Sequence, residues 1–148
     1  MGGYVTLVFV SGGGILDKLI KITTRSIWSH VTVMSTNSMV EAIPPQVTVS
    51  PLDKYLGWPT EAVPVFVADL KVSMLELERL VGKPYGFLDC FSGLLHDITD
   101  IDLPMTGERT VNCCEVAVRV LRAGGTDPDS QISDDCWTPQ SLYAALKQ

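Results

Sequence analysis

At 148 residues the chain is sized for a single domain, and a domain of that length buries about 70% of its unfolded surface, enough for a real core. A hydrophobic fraction of 46% and a charged fraction of 19%, without low-complexity tracts or internal repeats, exclude a disordered chain or a solenoid. The net charge of -6 is uneven, since Lys18, Lys21 and Arg25 against Asp17 leave residues 1–40 at +2 and the remainder at -8; with no broad basic stripe, nucleic acid is not an expected partner.

Residues 4–10 are rich in β-branched and aromatic side chains and run into Gly12-Gly13-Gly14, which reads as a buried strand. So short an apolar run, with no basic segment ahead of it, suits neither a signal peptide nor a membrane span, and a cytoplasmic location is expected. There Cys90, Cys113, Cys114 and Cys136 read as free thiols. No CxxC or HxxxH pair occurs, and neither a metal nor another cofactor is expected. The loop Ser11-Gly12-Gly13-Gly14 follows a strand as a phosphate cradle does, but lacks the Gly-Lys-Ser/Thr continuation.

Residues 15–24 predict an amphipathic helix with Ile15, Leu16, Leu19, Ile20 and Ile22 on one face and Lys18, Lys21 and Arg25 opposite, a basic side best read as solvated. Residues 29–35 alternate as a strand, with Val31 and Val33 on one side and His30, Thr32 and Met34 on the other. A turn centred between Thr36 and Asn37 leads into a returning strand, residues 39–43, stopped by Pro44-Pro45. Residues 47–49 and 62–70 read as further strands, separated by a loop holding Pro51, Gly57 and Pro59. Residues 73–81 predict a helix capped by Ser73, residues 82–86 a turn, 87–96 a helix and 97–107 a loop. The clearest helix spans residues 110–125, and 139–147 closes the chain as a helix with Pro139 at its first position.

Asn112 followed by Glu115 is a capping-box pattern that puts Cys113 in the first turn of its helix. Unsatisfied N–H groups and the positive end of the helix dipole favour a thiolate there. Cys113, Ala117, Val120 and Leu121 share one face, with Glu115, Arg119 and Arg122 opposite, so Cys113 points toward the body of the protein. Cys114 lies about 100° round the helix and is the weaker nucleophile candidate. A buried structural cysteine pair is the competing reading, which the helix alone does not separate from catalysis.

A nucleophilic thiol needs a base, and His30, one of two histidines, sits in a strand. The turn at Thr36-Asn37 sets Met34 opposite Met39 and Thr32 opposite Glu41, making His30 and Glu41 diagonal neighbours on one face. Glu41 is then placed to orient the imidazole, whereas a one-residue slip would turn it away and leave it an edge-strand surface acid.

Together these residues resemble the permuted NlpC-type, papain-like cysteine hydrolase superfamily, especially its YiiX-type branch, with the lecithin retinol acyltransferases as relatives. The resemblance rests on Ser29-His30-Val31, on Glu41 in Val40-Glu41-Ala42, on Gly82-Lys83-Pro84-Tyr85 and on Cys113-Cys114-Glu115, in that order along most of the chain. Cys114 stands where the family usually has serine, and Asn112 where it has an aromatic residue. The resemblance implies a single α+β domain over residues 1–148 with a circularly permuted papain-like fold, a barrel-like antiparallel sheet packed against the nucleophile helix. It also implies Cys113 as nucleophile, His30 as general base, Glu41 as orienting group and the Cys113 backbone N–H in an oxyanion hole, with Tyr85, Ser29 and Asn112 lining the substrate site. A rival order, in which Asp89-Cys90-Phe91-Ser92-Gly93 carries the nucleophile, needs a histidine well downstream, and His96 is the last one in the chain.

The expected chemistry is therefore attack by the Cys113 thiolate on a peptide or another acyl-bearing small substrate. An amidase or peptidase, possibly one acting on cell-wall peptides, is the leading expectation. A lipid-directed acyl hydrolase or transferase and a non-catalytic binding or inhibitory module are the alternatives.

Overall fold

The computed structural model of the chain describes residues 1–23, 25–86 and 110–148. The expected helix 87–96 and loop 97–107, with Cys90 and His96, lie outside the described residues.

Among the described residues five antiparallel strands form one sheet: β1 (Gly3–Val10), β2 (His30–Met34), β3 (Met39–Ile43), β4 (Gln46–Ser50) and β5 (Thr60–Val67), in the order β4-β3-β2-β1-β5. Four α-helices accompany it among the described residues: α1 (Ile15–Thr23), α2 (Leu70–Leu80), α3 (Cys113–Ala123) and α4 (Pro139–Leu146). The period-2 pattern explains which face is buried. Val5, Leu7 and Phe9 of β1, Val31 and Val33 of β2 and Val63 and Val67 of β5 turn into one core with Leu77 and Leu80 of α2 and Val116, Ala117, Val120 and Leu121 of α3. Each fully buried Val, Leu or Phe stabilises the fold by about 1.5–3 kcal/mol.

Register between β2 and β3 pairs Met34 with Met39 and Val33 with Val40, the pairing expected from the turn at Thr36-Asn37. Stepping along the same ladder sets Thr32 opposite Glu41, so His30 and Glu41 share the face away from Val31 and Val33. β3 then turns through Pro44–Pro45, whose peptide is cis, into β4.

Several local expectations are corrected. The strand expected over residues 62–70 ends at Val67, and α2 begins at Leu70 with Asp69, not Ser73, as its cap; the Asp69 carboxylate accepts from the Lys71 and Val72 amides. Ser73 is buried inside the helix and donates its hydroxyl to the Val120 carbonyl of α3 at 2.9 Å. Ile22 is exposed because it lies two residues, about 200° on the helical wheel, from Ile20. Glu115, expected opposite the core face, is buried and pairs with Arg119 at 3.1 Å, which reaches on to Glu76 of α2 at 3.6 Å.

Residues 82–86 and Val111 fasten the start of α3 to the sheet. Gly82, at φ +86°, turns the chain, and the Gly82 amide and Lys83 carbonyl bond to Val47 of β4. The Tyr85 amide donates to the Pro45 carbonyl at 2.9 Å, while Val111 bonds to Pro84 and Gly86 at 3.0 Å each. Val111 thus enters α3 pinned beside the end of β3, and Asn112 and Cys113 follow directly.

Candidate active site

Cys113 is the first residue of α3. Asn112 caps that helix, its Oδ1 accepting from the Glu115 amide at 2.8 Å, which is the Asn112 half of the expected capping box. The remaining side-chain nitrogen, Asn112 Nδ2, is buried and has no partner among the described residues.

His30 opens β2, and its ring is mostly covered, with 13% of the side chain exposed. Nε2 lies 2.8 Å from Glu41 Oε2, which leaves Nδ1 as the nitrogen free for the thiol. The Cys113 thiol and the His30 ring lie close enough for each to favour the other's charged form, and the Val31 backbone adds to the stabilisation of the thiolate. Cys114 Sγ lies 4.0 Å from Cys113 Sγ. Of the two thiols Cys114 is the more deeply buried.

These contacts set the charges. The Cys114 hydrogen bond does most to hold the Cys113 thiol well below its ordinary range; burial opposes it, and the hydrogen bond and charge of His30, with the Val31 amide, reinforce it. Burial disfavours the His30 imidazolium, yet the hydrogen bonds and charges of Cys113 and Glu41 outweigh burial and raise its pKa to about 9. Both shifts favour a thiolate–imidazolium pair over the neutral thiol and imidazole.

Glu41 is almost completely buried, at 1% exposure. Such a carboxylate survives only when its lone pairs are filled. His30 Nε2 and the Tyr55 hydroxyl donate to Oε2, the latter at 2.5 Å, and Ser50 Oγ, at 2.5 Å, and Lys54 Nζ donate to Oε1. Burial works to raise its pKa, but the four donors together hold it well below the usual carboxylate range. Burial and the adjoining carboxylate push the Tyr55 hydroxyl well above its ordinary value.

All six residues expected at the site lie on one cleft of about 330 Å³ except Glu41, which stands behind it and reaches it through His30. Ser29 lines the cleft with its hydroxyl already committed, accepting from the Gly12 amide at 2.8 Å and donating to the Val10 carbonyl at 3.3 Å, so it fixes the entry to β2. Tyr85 and Asn112 lie on the wall. The Gly-rich loop has used the amides a phosphate would need: that of Gly12 bonds Ser29, and that of Gly14 bonds Asp17 at 2.9 Å.

Sequence reasoning missed the loop between β4 and β5, which supplies Lys54, Tyr55 and Trp58 to the cleft, and Trp137 and Thr138, which approach from the start of α4. The available signal was the cluster Lys54, Tyr55 and Trp58 between Pro51 and Pro59. Among the described residues no group of three or more His, Cys, Asp or Glu could hold a metal ion, and no helix is long and apolar enough to cross a membrane.

No protein-family model matches the chain, and no curated protein matches it.

Proposed function

We propose that the chain is a cysteine-dependent hydrolase of amidase or peptidase type, built on a circularly permuted papain-like fold. The observation that carries this reading is the line Cys113, His30, Glu41, with the thiol and the imidazole on the wall of a cleft, the thiol at a helix N-terminus, and a buried carboxylate behind them holding the imidazole. The Cys113 thiolate attacks the substrate carbonyl carbon, and the oxyanion is received at the Cys113 amide and the positive end of α3. As the tetrahedral adduct collapses, the C–N bond breaks and the His30 imidazolium gives its proton to the departing nitrogen. Water then attacks the thioester carbonyl, the neutral imidazole takes one of its protons, and the acid is released with the thiol restored.

A second reading, an acyl hydrolase or transferase for lipid-like substrates, is favoured by one feature: Ile20, Ile43, Trp58 and Trp137 give the cleft a largely apolar wall. A panel of dipeptide amides, short and long acyl esters and acyl thioesters separates the two. The proposal expects a covalent acyl adduct on Cys113 by mass spectrometry, absent in Cys113→Ala, with turnover of amides ahead of long-chain esters. The reverse preference selects the second reading, and no adduct with any of the panel refutes both.

A further inference from the structure

The loop of residues 51–59 is exposed at every position except Tyr55. Its internal backbone bonds are local turn bonds: Lys54 to Pro51 at 3.2 Å, Leu56 to Asp53 at 3.0 Å and Trp58 to Tyr55 at 3.0 Å. Yet two consecutive side chains leave this loop for one buried carboxylate, Lys54 Nζ to Glu41 Oε1 and Tyr55 OH to Glu41 Oε2. Tyr55 also packs beside the His30 ring, with centroids 6.1 Å apart. An anchor for the loop would need only one of these bonds, and an apolar residue would serve as well. A cation on the far oxygen of the carboxylate that holds the catalytic imidazole has an electrostatic consequence.

Lys54, Glu41, His30 and Cys113 form a row of alternating charge, positive, negative, positive, negative. Other titratable groups near His30 are Tyr55 on the loop, Cys114 on α3, and Asp17 and Tyr85 on the cleft wall. We propose that Lys54 is a positioning residue that sets the acidity of the His30 imidazolium through the Glu41 carboxylate they share. The role rests on the cysteine-hydrolase reading, in which His30 must surrender its proton to the leaving group. With Lys54 in place, two cations balance the two anions Glu41 and Cys113. Without it, the His30 proton is the only positive charge left in the row, and its departure would strand two neighbouring buried anions. The imidazolium then becomes a weaker acid. Lys54 is 31% exposed at the side chain, so its charge can be removed without opening a hole in the core.

The test is an NMR titration of the His30 imidazole in the full-length chain, the other histidine signal being assigned with His96→Gln. Three variants separate charge from anchoring: Lys54→Met, Lys54→Gln, which stays neutral but can still donate to Glu41, and Lys54→Arg, which keeps the charge. The proposal expects the His30 midpoint to rise by about one pH unit in both neutral variants and to return to the wild-type value in Lys54→Arg. A loop anchor predicts instead that Lys54→Gln titrates like wild type. If both neutral variants fold, by circular dichroism, and titrate like wild type, the proposal is overturned. Failure of the hydrolase reading looks different: no acyl adduct forms on wild-type Cys113, while the Lys54 effect on His30 is still read from the titration.

Discussion

Replacing Glu41 by Gln keeps the shape of the side chain and removes the charge that holds His30. The lost interaction is a charge-assisted hydrogen bond at 2.8 Å between the mostly covered His30 ring and a completely buried carboxylate. Bonds of that kind are worth about 1.5–3 kcal/mol, which at 1.36 kcal/mol per unit is about 1–2 pKa units. The His30 midpoint is therefore expected to fall from about 9 to about 7–8. The Cys113 thiolate, losing part of its partner's charge, becomes less favoured, so the rise of alkylation rate with pH shifts upward. Breaking a buried pair from one side costs about 3–5 kcal/mol, at the low end here because Lys54 can turn to water. The stability effect has its own pH signature. A carboxylate whose folded pKa is depressed contributes stability above its unfolded value, near 4.5, and loses that contribution as pH falls toward its folded pKa. Wild type and Glu41→Gln should thus differ in thermal stability at pH 7 and converge as the solution is acidified below about 4.5. The assays are the His30 NMR titration, Cys113 alkylation against pH and thermal melts across pH. An unchanged midpoint together with an unchanged alkylation profile would refute the reasoning and return Glu41 to a structural role.

His30→Ala should abolish turnover and keep a folded circular-dichroism spectrum, at a lower melting temperature because the buried Glu41 carboxylate loses one of its donors; an active His30→Ala would remove the base assignment. Cys114→Ala should raise the apparent pKa of Cys113, since the Cys114 hydrogen bond does most to lower it, and a lowered or unchanged value in the alkylation profile would contradict that. Gly124→Ala tests the packing of α2, α3 and β5: a Cβ there would fall 2.1 Å from Ser73 Oγ and 2.8 Å from Val67 Cβ. Overpacking of this kind costs about 1–3 kcal/mol, read as a lower urea midpoint, whereas a neutral result would mean that the junction yields freely.

The His30–Glu41 pairing was legible because strand alternation and a turn of defined centre leave one register that buries Val31, Val33, Val40 and Ala42 together. Cys113 was legible for a similar reason: Asn112 and Glu115 mark a helix start, and a helix start fixes the direction of the next side chain. The partners of Glu41 were not legible. Lys54 and Tyr55 come from a loop, whose reach depends on turn geometry that no periodicity records. The start of α2 was misread because Val65 and Val67 continue the β pattern up to Asp69, whose capping signal was overlooked and assigned to Ser73. Ser73 instead shows how tertiary demand overrides a local preference: it lies where α2 meets α3, and its hydroxyl finds the Val120 carbonyl.

Competitive alkylation of the chain's thiols at mildly acidic pH, with each site quantified by mass spectrometry, tests the central claim most directly. A thiolate held by the α3 terminus, Cys114 and the His30 imidazolium should make Cys113 the fastest-labelled cysteine between about pH 5 and 6.5, where an ordinary thiol with a pKa of about 8.5 is almost entirely protonated. Slow and equal labelling of Cys90, Cys113, Cys114 and Cys136 in that range, or preferred labelling of Cys90 or Cys114, would contradict the account.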